Sequence, residues 1–217
     1  MEQITGKVFH KETFEKISKE KRDHVFTIAV SEFAENGYAA TSINHVAKKA
    51  GISIGSMYSY FESKENLFLA IVQKGYELLE GALHTLDCEK NIGETVDDLL
   101  RMAIHYAKKH PDMNKLYLSM MTEELSHFSE HLSKKFESIT IDFYRKMLEK
   151  AAERGEIRKD IDIDMAAFAI DNLIVMLQLS FSTTYHGYRL RQYLGAEAGN
   201  DENIIAKLRE FIIRSLK

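Results

Sequence analysis

An all-α fold is what this sequence predicts, and three observations predict it. The 217 residues hold a single proline and only 11 glycines, too little turn-forming material for a β-sandwich or barrel. Apolar residues recur at helical rather than alternating spacing along most of the chain. Residues that start and stop helices, Ser, Thr or Asp ahead and Gly behind, punctuate those periodic segments. Hydrophobic residues at 45% and charged residues at 29% describe a folded globular chain rather than a disordered one. The length suits one large domain, or a small one joined to a medium one.

The elements follow in order. From Glu15 to Asn36, Val25, Ile28, Ala29 and Phe33 form an apolar stripe on a first helix, which Asn36-Gly37 ends. Thr41 or Ser42 caps a second helix whose inward face is Ile43, Val46 and Ala47, and Gly51 closes it after about two turns. Ser53 is placed as the N-cap of a third short helix, Ile54 to Phe61, and Ser63 caps a fourth, "KENLFLAIVQKGYELLEGAL". Beyond residue 85 the helices lengthen, with spans expected near 92–109, 111–128, 131–154, 163–190 and 202–216. Pro111 suits a first helical turn, "ERGEIRKDIDID" is a polar connector, and Asp162 or Asp164 caps the helix after it. No internal repeat or low-complexity tract interrupts the pattern.

Several classes of function are disfavoured by composition and motif. The net charge of −4 argues against a general nucleic-acid coat, although residues 1–64 carry +1 and the remainder −5. A lone cysteine, Cys88, forms no internal disulfide and fits a reducing cytoplasm; Asp87 and Glu89 beside it do not activate a thiol. The charged N-terminus lacks the apolar run of a signal peptide. "MAAFAIDNLIVMLQLSF" is interrupted by Asp171, Asn172 and Gln178 and reads as a buried helix rather than a membrane span. HExxH and a P-loop are missing from the sequence, and Gly51-Ile52-Ser53-Ile54-Gly55, which spells GxSxG, lies between two helices rather than on a strand-to-helix elbow. A di-iron bundle enzyme needs two Glu-x-x-His motifs, and only Glu124-Leu125-Ser126-His127 is present. His127 and His131 have the spacing of a metal pair, yet their polar setting reads as ordinary surface, so no metal or cofactor is expected. The chain is not expected to be an enzyme.

The stretch "GISIGSMYSYF" is the informative one. Two short helices joined by "GIS" meet the needs of a helix-turn-helix, in which Gly51 makes the turn, Ile52 plugs the interior and Ser53 begins the second helix. Ile54, Gly55 and Ser56 let that helix's backbone approach a duplex closely, and Met57 and Phe61 hold it to its own core. Tyr58, Ser59 and Tyr60 are left to offer hydroxyls to phosphate and base edges, and Lys64 adds charge at the start of the fourth helix. Tyr58 and Tyr60 as half-buried packing residues are the plainer alternative. Lys48 and Lys49 read as exposed positive charge without specificity.

The run "FAENGYAATSINHVAKKAGISIGSMYSYFESKENLF" resembles the DNA-binding domain of the tetracycline-repressor (TetR) family over about 45 residues. Its landmarks are Phe33, Gly37-Tyr38, Thr41-Ser42, Val46-Ala47, Ala50 to Ser53, Gly55, Tyr58, Tyr60-Phe61 and Ser63-Lys64-Glu65. "RGEIRKDIDIDMAAFAI" more weakly resembles the family's approach to its dimerisation helix. The resemblance implies an all-helical homodimer: a three-helix DNA-binding head over residues 1–64 and a ligand-binding and dimerisation domain over 65–217. It makes Thr41, Ser42, Ser53, Ile54, Gly55, Ser56, Tyr58, Ser59, Tyr60 and Lys64 the DNA-contact candidates, Ser59 replacing a larger residue in many members. The extension before Lys19 reads as a frayed solvated tail, with Lys7, Lys11 and Lys16 the side chains able to reach a backbone or groove.

Methionines crowd the body and suit an adaptable apolar pocket, or plain core. With the segments on which the family builds its cavity, they make Met102, Tyr106, Tyr117, Met121, Phe143, Met147, Phe168, Asn172 and Met176 the pocket candidates, for a small apolar or amphipathic ligand. The implied activity is a ligand-responsive repressor that binds a pseudo-palindromic double-stranded operator. The rival within the same class is a DNA-binding factor controlled by a protein partner. Helices 165–188 and 202–217 are the expected dimer surface, the last carrying Ile204, Ile205, Leu208, Phe211, Ile212 and Leu216; packing into its own subunit is the competing use of that stripe.

Overall fold

In the computed structural model the backbone is described for residues 8–120 and 125–217, and side chains for these apart from 126–137. Expectations that fall on Lys7, Met121, Glu124, His127 and His131 therefore lie outside the described residues. Among the described residues the regular elements are helical: α1 Glu12–Glu15, α2 Lys19–Ala40, α3 Ile43–Lys49, α4 Ile54–Tyr60, α5 Lys64–Leu83, α6 Ile92–Lys109, α7 Pro111–Met120, α8 Ser126–Glu153, α9 Ile163–Ser182, α10 Thr184–Leu194 and α11 Asp201–Leu216. The chain divides into two compact units, one from Met1–Leu78 with Leu116–Leu132, the other from Leu79–Lys115 with Ser133–Lys217. The expected boundary at residue 64 falls at the start of α5, 14 residues before this division.

The first unit packs α2 on α3, α3 on α4, and α1 on α4. Its interior is aromatic. Phe33, Phe61, Phe68, Met57, Leu67 and Ile71 are almost wholly buried, with Phe68 edge-on to both Phe33 and Tyr38 at centroid distances of 5.3 and 5.1 Å. Offset and edge-to-face pairs of this kind add to plain area burial. Short α1 was not foreseen. The segment expected to be a frayed tail buries Phe9 and Phe14, the latter completely.

The second unit has its own core, in which Val96, Leu99, Leu100 and Ala103 of α6 meet Tyr144, Met147 and Leu148 of α8 and Ile170, Ile174 and Leu177 of α9. Ile204, Ile205, Ile212 and Leu216 of α11 join the same core, so most of that helix's stripe is spent inside its own subunit and Phe211 stays 60% exposed. The helix expected over 163–190 breaks at Thr183, which is extended (φ −125°, ψ 146°) and whose side chain caps α10 through the His186 N–H. Gly187 permits the close return of α10, because a Cβ there would come within 3.0 Å of the Ser180 carbonyl oxygen.

Helix α9 is long and apolar enough to cross a membrane by length and composition, its 18-residue window having mean hydropathy 1.5. The Asp171, Asn172 and Gln178 interruptions do not lower it below that mark. Ala167, Ile170, Ile174 and Leu177 nevertheless sit in the core of the second unit, whereas Met165, Phe168 and Met176 face outward.

Candidate nucleic-acid interface

The turn between α3 and α4 is made by backbone hydrogen bonds that close α3. Ile52 N–H donates to the Ala47 carbonyl at 3.0 Å and Gly51 N–H to the Lys48 carbonyl at 3.2 Å, the paired pattern of a Schellman ending. Gly51 takes φ 66°, where a side chain is strained, so glycine is what this turn requires. Ser53 then starts α4: its hydroxyl accepts from the Ser56 N–H at 3.0 Å and pairs with the Ser56 hydroxyl at 2.8 Å. Ser42 holds the corresponding place before α3 through its carbonyl, which accepts from His45 and Val46 N–H at 3.0 Å, while its side chain makes no cap.

Helix α4 has two distinct faces. Met57, Tyr60 and Phe61 point inward, all but wholly buried. Tyr60 was expected to offer its hydroxyl to DNA; it lies three residues after Met57, on the same helical face, and its ring sits 5.4 Å from that of Phe14. Ile54 and Tyr58 point outward, 49% and 43% exposed, flanked by exposed Ser53, Gly55 and Ser59 and half-buried Ser56. A Cβ on Gly55 would meet nothing of this chain closer than the Ser53 hydroxyl at 3.9 Å. Internal packing therefore does not ask for glycine there, although glycine costs a helix about 1 kcal/mol. Ser59 turns its hydroxyl back to the Ser56 carbonyl at 2.7 Å.

Two more candidates are engaged inside the unit. Thr41 is 4% exposed, its hydroxyl donating to the carbonyls of Gly37 at 2.6 Å and Glu32 at 3.1 Å. Lys64 directs its ammonium to the Tyr38 and Ala39 carbonyls at 2.9 and 3.1 Å and lies 4.6 Å from the Tyr38 ring centroid. Both tie the end of α2 to its neighbours, because open carbonyls at a helix end need donors.

One residue that the periodicity did not single out is Glu32, an acidic group only 2% exposed. It pairs with Lys49 and lies 3.4 Å from His45 Nε2, which pins α3 to α2; the bond to Glu32 raises the Lys49 pKa. Lys49 is thus an exposed cation held by a buried carboxylate rather than loose surface charge. The legible signal was a carboxylate directly before core Phe33, opposed by a base and a cation four apart on α3.

The pocket candidates separate similarly. Met147 is buried core, Met102 and Phe143 pack against that core, and Tyr106 and Tyr117 are half-buried. Phe168, Asn172 and Met176 instead occupy the exposed face of α9, four residues apart, and do not line an interior cavity.

Residues 27–71, which hold the turn, α4 and the start of α5, match the family described as bacterial regulatory proteins, tetR family. The chain is 26% identical over 206 residues to the uncharacterized HTH-type transcriptional regulator YvdT of Bacillus subtilis, covering 90% of this chain and 95% of that one. It is 26% identical over 157 residues to the fatty acid metabolism regulator protein of the same organism, covering 68% and 78%. A solved TetR family transcriptional regulator from Chloroflexus aurantiacus shares the fold with a TM-score of 0.71 at 21% identity, over 95% of this chain and 97% of that chain. With its helix-turn-helix built as described, this chain carries a DNA-binding domain of the tetR family over residues 27–71, and it is similar to such regulators along most of its length.

Proposed function

We propose that this DNA-binding regulator is a homodimeric repressor of a pseudo-palindromic operator, released when a small apolar or amphipathic molecule enters its body. The observation that carries the DNA-reading part is the outward face of α4, where Ile54, Gly55, Tyr58 and Ser59 are displayed although the chain's own packing needs none of them outside. A helix with small residues first and a tyrosine next can lie in the major groove and contact base edges and phosphates. One such helix reads too few bases for operator selectivity, and two heads related by a dyad read a palindrome.

The ligand class rests on the methionine- and aromatic-rich second unit, and on a relative named as a regulator of fatty acid metabolism. Helix α5 runs unbroken from Lys64 to Leu83, from the reading unit into the body, so a ligand that shifts its far end changes the spacing of the two heads. A coupling of about 1–3 kcal/mol is enough to change operator occupancy several-fold.

Selection of bound duplexes from a random library by the full-length protein tests the reading. The expected product is an enriched dyad-symmetric site that a medium-chain acyl compound releases. Recovery of unrelated sequences, bound no better than random DNA, would overturn the repressor assignment. An enriched site indifferent to every amphipathic compound would leave control to a protein partner.

A further inference from the structure

The segment before α2 is fastened to the far end of α4. Lys11 N–H donates to the Tyr60 carbonyl at 2.8 Å, the Lys11 ammonium donates to the Tyr58 carbonyl at 3.1 Å, and the Thr13 hydroxyl donates to the Ser59 carbonyl. The last carbonyls of a helix have no partner farther along it, so these three consecutive oxygens are the ones that α4 leaves open at its end. The Lys11 charge also faces the negative end of the helix. Aromatic packing holds the segment in place: Phe9 is buried, and the fully buried Phe14 ring lies 4.8 Å from Phe61, 5.2 Å from Phe26 and 5.4 Å from Tyr60.

A helix of seven residues is far shorter than one that stands alone in water, so its pose is set by what touches it. Core packing fixes α4 through Met57, Tyr60 and Phe61, and the bonds from Lys11 and Thr13 add a hold on the backbone of Tyr58, Ser59 and Tyr60 at the same end. The geometry points to residues 9–15 as a strap that positions the DNA-reading helix. It sets the backbone of Tyr58, Ser59 and Tyr60 and so aims the outward side chains of α4. This rests on α4 being the reading helix. Lys11 and Thr13 are positioning residues, and they act without touching the duplex.

The test uses full-length protein carrying Thr13→Val, Lys11→Met or the conservative Thr13→Ser. Amide hydrogen exchange without DNA comes first. The strap predicts faster exchange in residues 54–61 for Thr13→Val and Lys11→Met, unchanged exchange in 92–109, and wild-type behaviour for Thr13→Ser. Binding to a selected operator and to a random duplex is then measured across a salt series. Operator affinity falls about 5-fold in Thr13→Val, as expected for one lost hydrogen bond, while random-duplex affinity and the salt slope stay put.

Unchanged exchange and unchanged operator affinity in Thr13→Val overturn the strap. So does a silent Thr13→Val beside a Lys11→Met that weakens both duplexes and lowers the salt slope by about one, because Lys11 is then a phosphate contact. Faster exchange with intact operator affinity shows a brace without a positioning role and overturns it too. The exchange arm needs no DNA, so a failure of α4 as the reading helix would show separately, as a Tyr58→Ala variant that keeps full operator affinity.

Discussion

At the scale of single residues, what a side chain touches decides its role more than its type does. Lys64 is the sharpest case. Its ammonium bonds the carbonyls of Tyr38 and Ala39 and lies against the Tyr38 ring, whose own pKa is raised by burial and by Glu65. These carbonyls follow Gly37, whose non-helical backbone (φ 75°, ψ 172°) interrupts α2, and a phosphate would have to compete with both of them for the cation. Lys64→Met is therefore expected to lower the unfolding free energy by about 1 kcal/mol with no DNA present, read by urea denaturation of the whole chain. A variant with unchanged stability but a salt slope of DNA binding lowered by about one would return Lys64 to the role of a plain phosphate contact. Tyr58 and Tyr60 make the complementary point. Two tyrosines two apart on a short helix cannot share a face, and Met57 three residues before Tyr60 draws that ring inside.

At the scale of elements, helix ends carry much of the specification. The Schellman ending of α3 recurs at the end of α8, where Glu156 N–H bonds the Ala151 carbonyl at 2.9 Å and Gly155 N–H bonds Ala152 at 3.0 Å. The latter turn presents Glu156, whose carboxylate accepts from the Ile92 N–H at 2.6 Å and from Arg154 at 2.7 Å, while Arg154 also holds the Lys90 carbonyl. The start of α6 is thereby clamped to the end of α8. Burial works against ionisation of Glu156, but the bonds from Arg154 and Ile92 outweigh it and leave its pKa below the usual 4.5. A carboxylate depressed on folding stabilises at pH above its unfolded value, and that contribution is lost as pH falls through the folded value. Glu156→Gln should thus cost about 1 kcal/mol at neutral pH, and the gap to wild type should close below pH ~4.5 in urea titrations. A gap that persists undiminished to pH 3 would show that the carboxylate's charge is not what holds α6.

Several helices were legible in the sequence because spacing and end signals agreed: α6 lies over the span expected near 92–109, and α4 where Gly51 and Ser53 place it. Other features were not. The break expected between the helices over 111–128 and 131–154 lies inside α8, which begins at Ser126. Helix α1 is four residues long and exists through tertiary bonds to α4, which no local pattern encodes. The break at Thr183 was hidden because "SFSTTYHGY" keeps apolar residues on both sides of the cap. Glu32 was passed over because a carboxylate inside is stable only with partners that α3 brings from elsewhere in the chain. For the candidate site, the outward Ile54, Gly55 and Tyr58 were readable from spacing, whereas the anchoring of Thr41 and Lys64 depended on where α2 ends.

At the scale of the whole molecule, the second unit leaves apolar surface that its own core does not use. Met165, Phe168 and Met176 are 62%, 66% and 48% exposed on one face of α9, and Phe211 is 60% exposed on α11. Only a third of the most apolar window of α9 is buried within one chain. In the homodimer proposed above, an isologous contact through this face of α9 would cover Met165, Phe168 and Met176 on both subunits at once. Because Phe168 contributes little to its own subunit's packing, Phe168→Asp should leave the thermal midpoint of the chain nearly unchanged while placing two charges in the dimer centre. Sedimentation at micromolar concentration should then find monomer. Operator affinity should fall by more than ~10-fold, because one head retains only its own half-site contacts, each lost base pair being worth about 1–3 kcal/mol. Tyr193→Asp on α10 provides the control: an equally exposed aromatic, 77% accessible but off the α9 face, whose replacement should leave both dimer and operator binding intact. If Phe168→Asp sediments as wild type, the α9 face is not the dimer contact; a dimer lost in Tyr193→Asp instead would move the contact to α10.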